Sequence, residues 1–282
     1  MNYIYDGSFE GFLCCVYLHY HREKADGIFA GDGYQFDLTR TGLSVETDEG
    51  QAESVLRAIS DKISTWDLER VYRVFRTETP EKEMALLNYL RLGFKRGPRI
   101  RLLHSHPIVM PVEKADQRFG AEVHRLCGLL RFSVMSTDFE ERAAEARPEA
   151  GNNAPAAPGN EILYGVIEPD HDVLEFLAPH FTDRFKWDPF IIHDRKRNKA
   201  LASYGGQWYI TEFSGSEGLR KTSSEEEYRN LWRSYFGTIA IKERTNPRCQ
   251  KSFMPMRYWK HLTELNTLEG GLLAASRRRD SS

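Results

Sequence analysis

The run Pro189-Phe190-Ile191-Ile192-His193, then Lys199-Ala200-Leu201-Ala202-Ser203, then Tyr204-Gly205-Gly206-Gln207 leading into Trp208-Tyr209-Ile210, decides the fold class. Short apolar runs bounded by polar residues, with a Gly-Gly pair before the last one, read as a strand followed by a β-hairpin. Upstream, 129–135 and 162–167 read as two more strands, so the second half of the chain is built on a sheet.

The first half has a different period. Phe9, Phe12, Leu13, Val16, Tyr17 and Tyr20 recur at helical spacing behind Ser8, a helix-capping residue, and a strand at 2–5 precedes them. Val55, Ile59 and Ile63 repeat the pattern, followed by Trp66, Val71, Val74 and Phe75. Thr79-Pro80-Glu81 reads as an N-cap with proline in the first helical position. Gly97-Pro98 is expected to break this helix, and another is expected from Val112, beyond Pro111, to Leu126, with Gly128 marking its end. Ser223 and Ser224, with Glu226 and Glu227 three residues on, have capping-box spacing. The stripe Tyr228, Leu231, Trp232, Tyr235, Phe236 and Ile239 behind them reads as core. The expected fold is therefore α+β, a helix-rich N-terminal half packed on a mixed, largely antiparallel sheet.

At 282 residues the chain allows one large domain or two modest ones. Between the strands at 129–135 and 162–167 lies 143–160, rich in Ala, Pro, Gly and Asn, with too little apolar surface to offset the entropy of ordering. Loop lengthening costs little free energy. The expectation is one composite domain over 1–266 with a disordered loop insertion at about 143–160, and a flexible tail at 267–282.

Mean hydropathy is -0.56 and no apolar run approaches the roughly 18 residues of a spanning helix, so a membrane partner is not expected. The first residues lack a basic region leading into an apolar one, and a cytoplasmic location is expected. Cys14, Cys15, Cys127 and Cys249 have neither disulfide-framework nor metal spacing and read as reduced packing residues. The formal net charge is only -2, yet the cations cluster. Residues 91–101 carry Arg91, Lys95, Arg96, Arg99 and Arg101 and no acid, and 184–199 and 242–260 are further basic islands. Such islands read either as a face that meets an anion or as solvated surface.

Three clusters could carry chemistry. His124, with Gly128 and Arg131, would share a helix face on which an anion could sit, or the histidine and glycine could serve only to end the helix. Glu168, Asp170 and His171, followed by His180, His193 and Asp194, offer oxygen and imidazole groups for a metal or for acid-base work. Their spacing gives no local ligand geometry, Asp170 and Asp172 also suit a helix start, and no bound metal is expected. Arg244, Arg248 and Lys251 run into Arg257, Tyr258, Trp259 and Lys260, a mixture suited to phosphate contacts and base stacking, or to aromatics docked on the core beneath snorkelling cations.

Tyr5-Asp6-Gly7-Ser8-Phe9-Glu10-Gly11, the stretch 122–132, Ile167-Glu168-Pro169-Asp170-His171-Asp172-Val173, Ile192-His193-Asp194-Arg195, Leu231-Trp232-Arg233 and Met254-Pro255 with Arg257-Tyr258-Trp259 together resemble a bacterial family of uncharacterised proteins assigned to DNA metabolism or repair. The resemblance covers roughly 3–265. It implies an association by gene neighbourhood with a radical S-adenosylmethionine protein similar to spore-photoproduct-lyase relatives. In some members it implies fusion to a uracil-DNA-glycosylase-like domain. No such domain follows the Tyr-Trp motif here, so base excision is not expected, and the long loop at 143–160 departs from the family's short connection. The family supplies no catalytic residues. This chain lacks the Cys-x-x-x-Cys-x-x-Cys run of a radical enzyme, so no cofactor is expected in it and any such cluster would come from the partner.

The expected role is an accessory factor in DNA metabolism or repair, binding DNA, single-stranded or distorted, or the radical partner, through the basic aromatic face of His124, Arg131, Arg244, Arg248, Lys251, Arg257, Tyr258, Trp259 and Lys260. The alternatives are a metal-assisted nuclease or phosphoesterase using the acid and histidine cluster, and a protein scaffold that never touches DNA.

Overall fold

Ser8 sets the start of the first helix: its side chain accepts the Gly11 N–H at 2.9 Å while its own backbone stays extended. In the computed structural model, which describes residues 1–31, 42–137, 161–213, 219–222, 225, 228–231 and 253–263, the chain divides into two compact units, Met1–Ala121 and Glu122–Ser282. The expected loop at 143–160 and tail at 267–282 lie outside the described residues, as does the capping box at 223–227 apart from Glu225.

The first unit opens with β1 (Asn2–Tyr5), α1 (Phe9–His21), β2 (Gly27–Ala30) and β3 (Gly42–Ser44), and the three strands form a parallel sheet in the order β2-β1-β3. Helices α2 (Glu49–Lys62), α3 (Thr65–Phe75) and α4 (Lys82–Arg96), a 3-10 turn (Gly97–Leu102) and the start of α5 (Val109–Leu129) follow. Their core holds Tyr3, Phe12, Ile59, Leu87 and Leu90, all fully enclosed. One buried polar knot sits among them. The Tyr89 hydroxyl donates to Asp67 at 2.8 Å, and Arg70 reaches Tyr89 at 3.3 Å and Glu113 at 3.1 Å, so no member of that set is left unpaired away from water.

Two helices, α4 and α5, differ from expectation in their boundaries. α4 starts at Lys82 behind Glu81, which takes a left-handed conformation (φ 55°) and makes no side-chain cap, so Thr79 does not cap it. α5 begins before Pro111 and runs through Gly128 to Leu129. Pro111 falls in the first turn, where backbone N–H groups have no intrahelical acceptor, so the missing donor costs nothing.

The second unit is a six-stranded mixed sheet, ordered β8-β7-β6-β5-β4-β9, from β4 (Phe132–Thr137), β5 (Glu161–Ile167), β6 (Phe190–Asp194), β7 (Lys199–Tyr204), β8 (Gln207–Glu212) and β9 (Leu219–Lys221). The fold class is α+β, as expected. β5 and β6 pair in parallel, with α6 (Leu174–Arg184) as the crossover, and every other pair is antiparallel. The Gly-Gly turn joins β7 to β8 with φ of 60° and 80°, the left-handed pair that a two-residue hairpin needs. α6 starts at Leu174 behind Val173 with no side-chain cap. Asp172 is instead buried, 3.6 Å from Lys199. Tyr228 and Leu231, expected in a core stripe, are 66% and 67% exposed, and 232–239 lies outside the described residues.

Candidate nucleic-acid interface

In the second unit, α5 carries Glu122 into an enclosed position, 2% exposed. A buried carboxylate survives only with partners, and Glu122 has four. Its Oε1 accepts from the Asp170 backbone N–H at 2.9 Å, from Arg257 Nη2 at 3.1 Å and from the Tyr258 hydroxyl at 2.7 Å. Its Oε2 accepts the His171 backbone N–H at 2.9 Å. One side chain thus fastens the loop after β5 and the 3-10 turn Met256–His261 to α5. Arg257 also pairs with the Asp170 carboxylate, and its guanidinium lies 4.8 Å from the centre of the Tyr258 ring. Burial alone would lower the Arg257 pKa, but Tyr258, Asp170 and Glu122 more than reverse that and raise it. Burial and Glu122 push the Tyr258 phenol well above its ordinary range.

Lys260 pairs with Glu168, whose other oxygen is 3.6 Å from His261, and Lys260 holds the Glu168 carboxyl below its usual value. Two members of the acidic cluster, Glu168 and Asp170, read from sequence as part of a separate candidate site, are therefore partners of two members of the basic aromatic cluster, Lys260 and Arg257. Tyr258 is 3% exposed, so of the two aromatics only Trp259 keeps a partly exposed surface, and its indole N–H donates to the Met254 carbonyl at 2.8 Å. Arg244, Arg248 and Lys251 lie outside the described residues.

The remaining acid and histidine candidates are spread over β6, α6 and the loop after β5. Asp194 is fully buried at the end of β6, where it accepts the Lys196 backbone N–H at 2.9 Å and pairs with Arg197 at 3.0 Å, an arrangement that builds the turn into β7. Burial raises its pKa, against the pull of Arg197. His193, 4% exposed, shares a 2.6 Å hydrogen bond with the Tyr164 hydroxyl, and burial depresses its pKa. His180 is exposed on α6 with its ring edge-on to Phe181, and the His171 side chain is half-buried. Among the described residues no three His, Cys, Asp or Glu side chains converge as a metal-ligand set.

Arg131 belongs to a different feature. α5 stops at Leu129, so Arg131 does not continue the helix face of His124, which is exposed; its Nη1 turns back to donate to the Gly128 carbonyl at 3.0 Å. There it lines a cleft of about 550 Å³ with Arg184, Arg229, Phe132, Phe185 and Tyr228, a volume inside the range of about 300–1,000 Å³ usual for ligand sites. Arg229 is held by Glu225 at 2.8 Å and by the Ser133 hydroxyl at 2.7 Å, and Glu225 in turn accepts the Val134 backbone N–H at 3.0 Å. Arg184, exposed in the last turn of α6, lies 5.6 Å from the centre of the Phe185 ring. Phe185 is braced by Phe132, with ring centres 5.0 Å apart at 76°.

The cleft thus offers three guanidinium groups above an aromatic wall: donors for phosphate or carboxylate, and flat apolar surface for a ring. Arg184 belongs to the basic island at 184–199, a signal that was present in the sequence. Arg229 carried none beyond its place four residues after Glu225.

No curated protein and no solved structure matches the chain. The family model for DUF4130, a domain of unknown function, matches residues 80–264, which take in α4, α5, the whole six-stranded sheet and both groups of residues just described. The match spans well over half of the sequence, and the chain belongs to the DUF4130 family.

Proposed function

We propose that the chain is a nucleic-acid-binding accessory protein of DNA metabolism or repair that works beside a radical S-adenosylmethionine partner. The observation that carries this reading is the cleft in which Arg131, Arg184 and Arg229 face the same space as Phe132, Phe185 and Tyr228. Cations that track phosphates beside rings that stack on bases are the recurrent chemistry of single-strand binding. The resemblance to DNA metabolism proteins encoded beside a radical enzyme supports the same reading and supplies the partner. Arg257 and Lys260, with carboxylates already at their sides, act chiefly in holding the second unit together, and the strand runs over the cleft.

The test is titration of single-stranded and duplex oligonucleotides at several salt concentrations, with the Arg184→Ala variant alongside and the radical partner present and absent. Each phosphate neutralised on a single strand contributes about -0.7 to the slope of log affinity against log salt, so Arg184→Ala should flatten the slope by about that amount. Absence of binding at low salt by the folded protein, alone and with the partner, overturns the proposal in favour of a scaffold.

A further inference from the structure

The first unit has a cationic surface of its own that the cleft does not use. From 84 to 112 the sequence has no acidic residue, yet it carries Arg91, Lys95, Arg96, Arg99 and Arg101. The helix dipole accounts for Lys95 and Arg96, in the last turn of α4, because cations are favoured at a C-terminus. It does not account for Arg91, one turn earlier. Arg91 and Lys95 are both exposed and stand four residues apart, so they form a like-charge pair that lowers helix stability. Arg91 Nη1 donates to a neutral group, the Asn88 side-chain oxygen, at 3.2 Å.

An aromatic ring lies beside these cations. Tyr20, near the end of α1, is 51% exposed, and its ring meets Phe94 of α4 edge-on with centres 5.9 Å apart. The positive field of Arg91 reaches Tyr20 and the buried His19, and Lys24 adds to it at His19. Of the acids in the turn after α1, Asp26 lies 2.6 Å from the amino group of Met1 and Glu23 lies 3.7 Å from it. Their charge is thus answered close by, whereas among the described residues no acid pairs with Arg91 or Lys95.

We infer that Tyr20, Lys24, Arg91 and Lys95 form a second contact surface for a single nucleic-acid strand, with the three cations on phosphates and the Tyr20 ring against a base. The inference rests on the nucleic-acid reading given above, but on different residues. An exposed ring among cations gives a strand with splayed bases both phosphate and stacking contacts, whereas an acidic peptide would use the charges alone; an anionic bilayer, whose interface also takes tyrosine, is separated from the strand by the vesicle measurement below.

The experiment is fluorescence anisotropy of a labelled single strand at several salt concentrations, with the full chain and three variants: Arg91→Ala/Lys95→Ala, Tyr20→Leu and Arg184→Ala. Circular dichroism verifies that each is folded, and leucine keeps an apolar contact for Phe94. Removing two phosphate contacts should flatten the salt slope by about 1.4. Tyr20→Leu should weaken binding about 5- to 150-fold with the slope unchanged, as loss of one stacked base does. If both variants match the wild type while Arg184→Ala weakens binding, this surface is refuted and the cleft stands. If they act and Arg184→Ala does not, the surface stands and the cleft falls. No binding by the wild type at low salt refutes both, and binding of phosphatidylserine vesicles in place of the strand, through the same residues, refutes the nucleic-acid assignment.

Discussion

Arg257 Nη2 lies 3.1 Å from Glu122 Oε1 although 135 positions of chain separate the two residues. Glu122 is almost wholly enclosed while Arg257 is 40% exposed, so the two ends of the contact carry different weights. The carboxylate cannot return to water when a partner is lost, whereas the guanidinium can.

Removal of Glu122 is accordingly expected to be far costlier than removal of Arg257. Glu122→Ala strands two backbone N–H groups and the enclosed Tyr258 phenol, and should cost about 3–5 kcal/mol, since each buried donor left unsatisfied costs about 1–3 kcal/mol. Arg257→Ala leaves Glu122 with three donors and should cost about 1–2 kcal/mol. Urea denaturation followed by tryptophan fluorescence gives both numbers. Equal losses would mean that Glu122 is not the hub of the second unit.

Tyr258→Phe separates packing from recognition. The ring is enclosed, so the variant loses the two hydrogen bonds of the hydroxyl, one donated to Glu122 and one accepted from Arg257, about 1–2 kcal/mol of stability, and leaves the salt dependence of any DNA complex unchanged. A variant of native stability that binds a strand several-fold more weakly would return Tyr258 to the binding surface.

Arg184 and Arg229 line the same cleft but differ in what they hold. Arg229 ties Glu225 to Ser133, and its replacement by alanine should lower stability by about 1–3 kcal/mol as well as weaken binding. Arg184 is exposed, and Arg184→Ala should stay within about 0.5 kcal/mol of the wild type in stability. Paired denaturation and binding curves distinguish the two, and a large stability loss on Arg184→Ala would make it a structural residue.

Acid should weaken the fold through its buried histidines. Burial lowers the pKa of His19, His193 and His261, with Arg91 and Lys24 adding to the effect at His19 and Arg195 at His193. His19 Nδ1 accepts the Ala25 backbone N–H at 2.9 Å, a bond that requires that nitrogen to be unprotonated. The unfolded chain, with histidine near pKa ~6.5, binds protons that the folded chain refuses, so stability is complete above that pH and falls as pH drops toward the folded values. Asp194 acts with the opposite sign in a lower range: its raised pKa makes stability fall as pH climbs from the unfolded value of about 3.9. Denaturation midpoints between pH 5.5 and 7.5, with histidine ring titrations by NMR, check this, and midpoints that rise on acidification across that window would contradict it.

Where a signal is confined to neighbouring residues, the sequence was readable. Ser8 announced the start of α1, and Gly205-Gly206 announced the hairpin because only a left-handed pair matches the twist of its strands. Proline and glycine misled at α5, since Pro111 in a first turn and Gly128 in a last turn break nothing. The site was less legible because ion pairing is a property of space. Lys260 and Glu168 are 92 positions apart, and no periodicity reveals that a basic run and an acidic run will neutralise each other. Charge density did point to Arg184, but only the fold brings it to the cleft that Arg131 and Arg229 share.

The short strand β9 has a consequence for how the second unit assembles and fails. β6, β7 and β8 form a meander whose contacts close small loops, but the Thr222 backbone N–H reaches back 88 positions to the Val134 carbonyl beside the β4–β9 pairing. Closing so long a loop for three residues of ladder places β9 late in folding and early in unfolding. Its departure bares the rim of β4, a row of open donors and acceptors that can recruit a strand from another molecule. Glu225 and Arg229 follow β9 directly and dock on β4 by the Val134 N–H and the Ser133 hydroxyl, so they brace that latch as they shape the cleft. A ligand that grips Arg229 would therefore also guard the sheet against self-association.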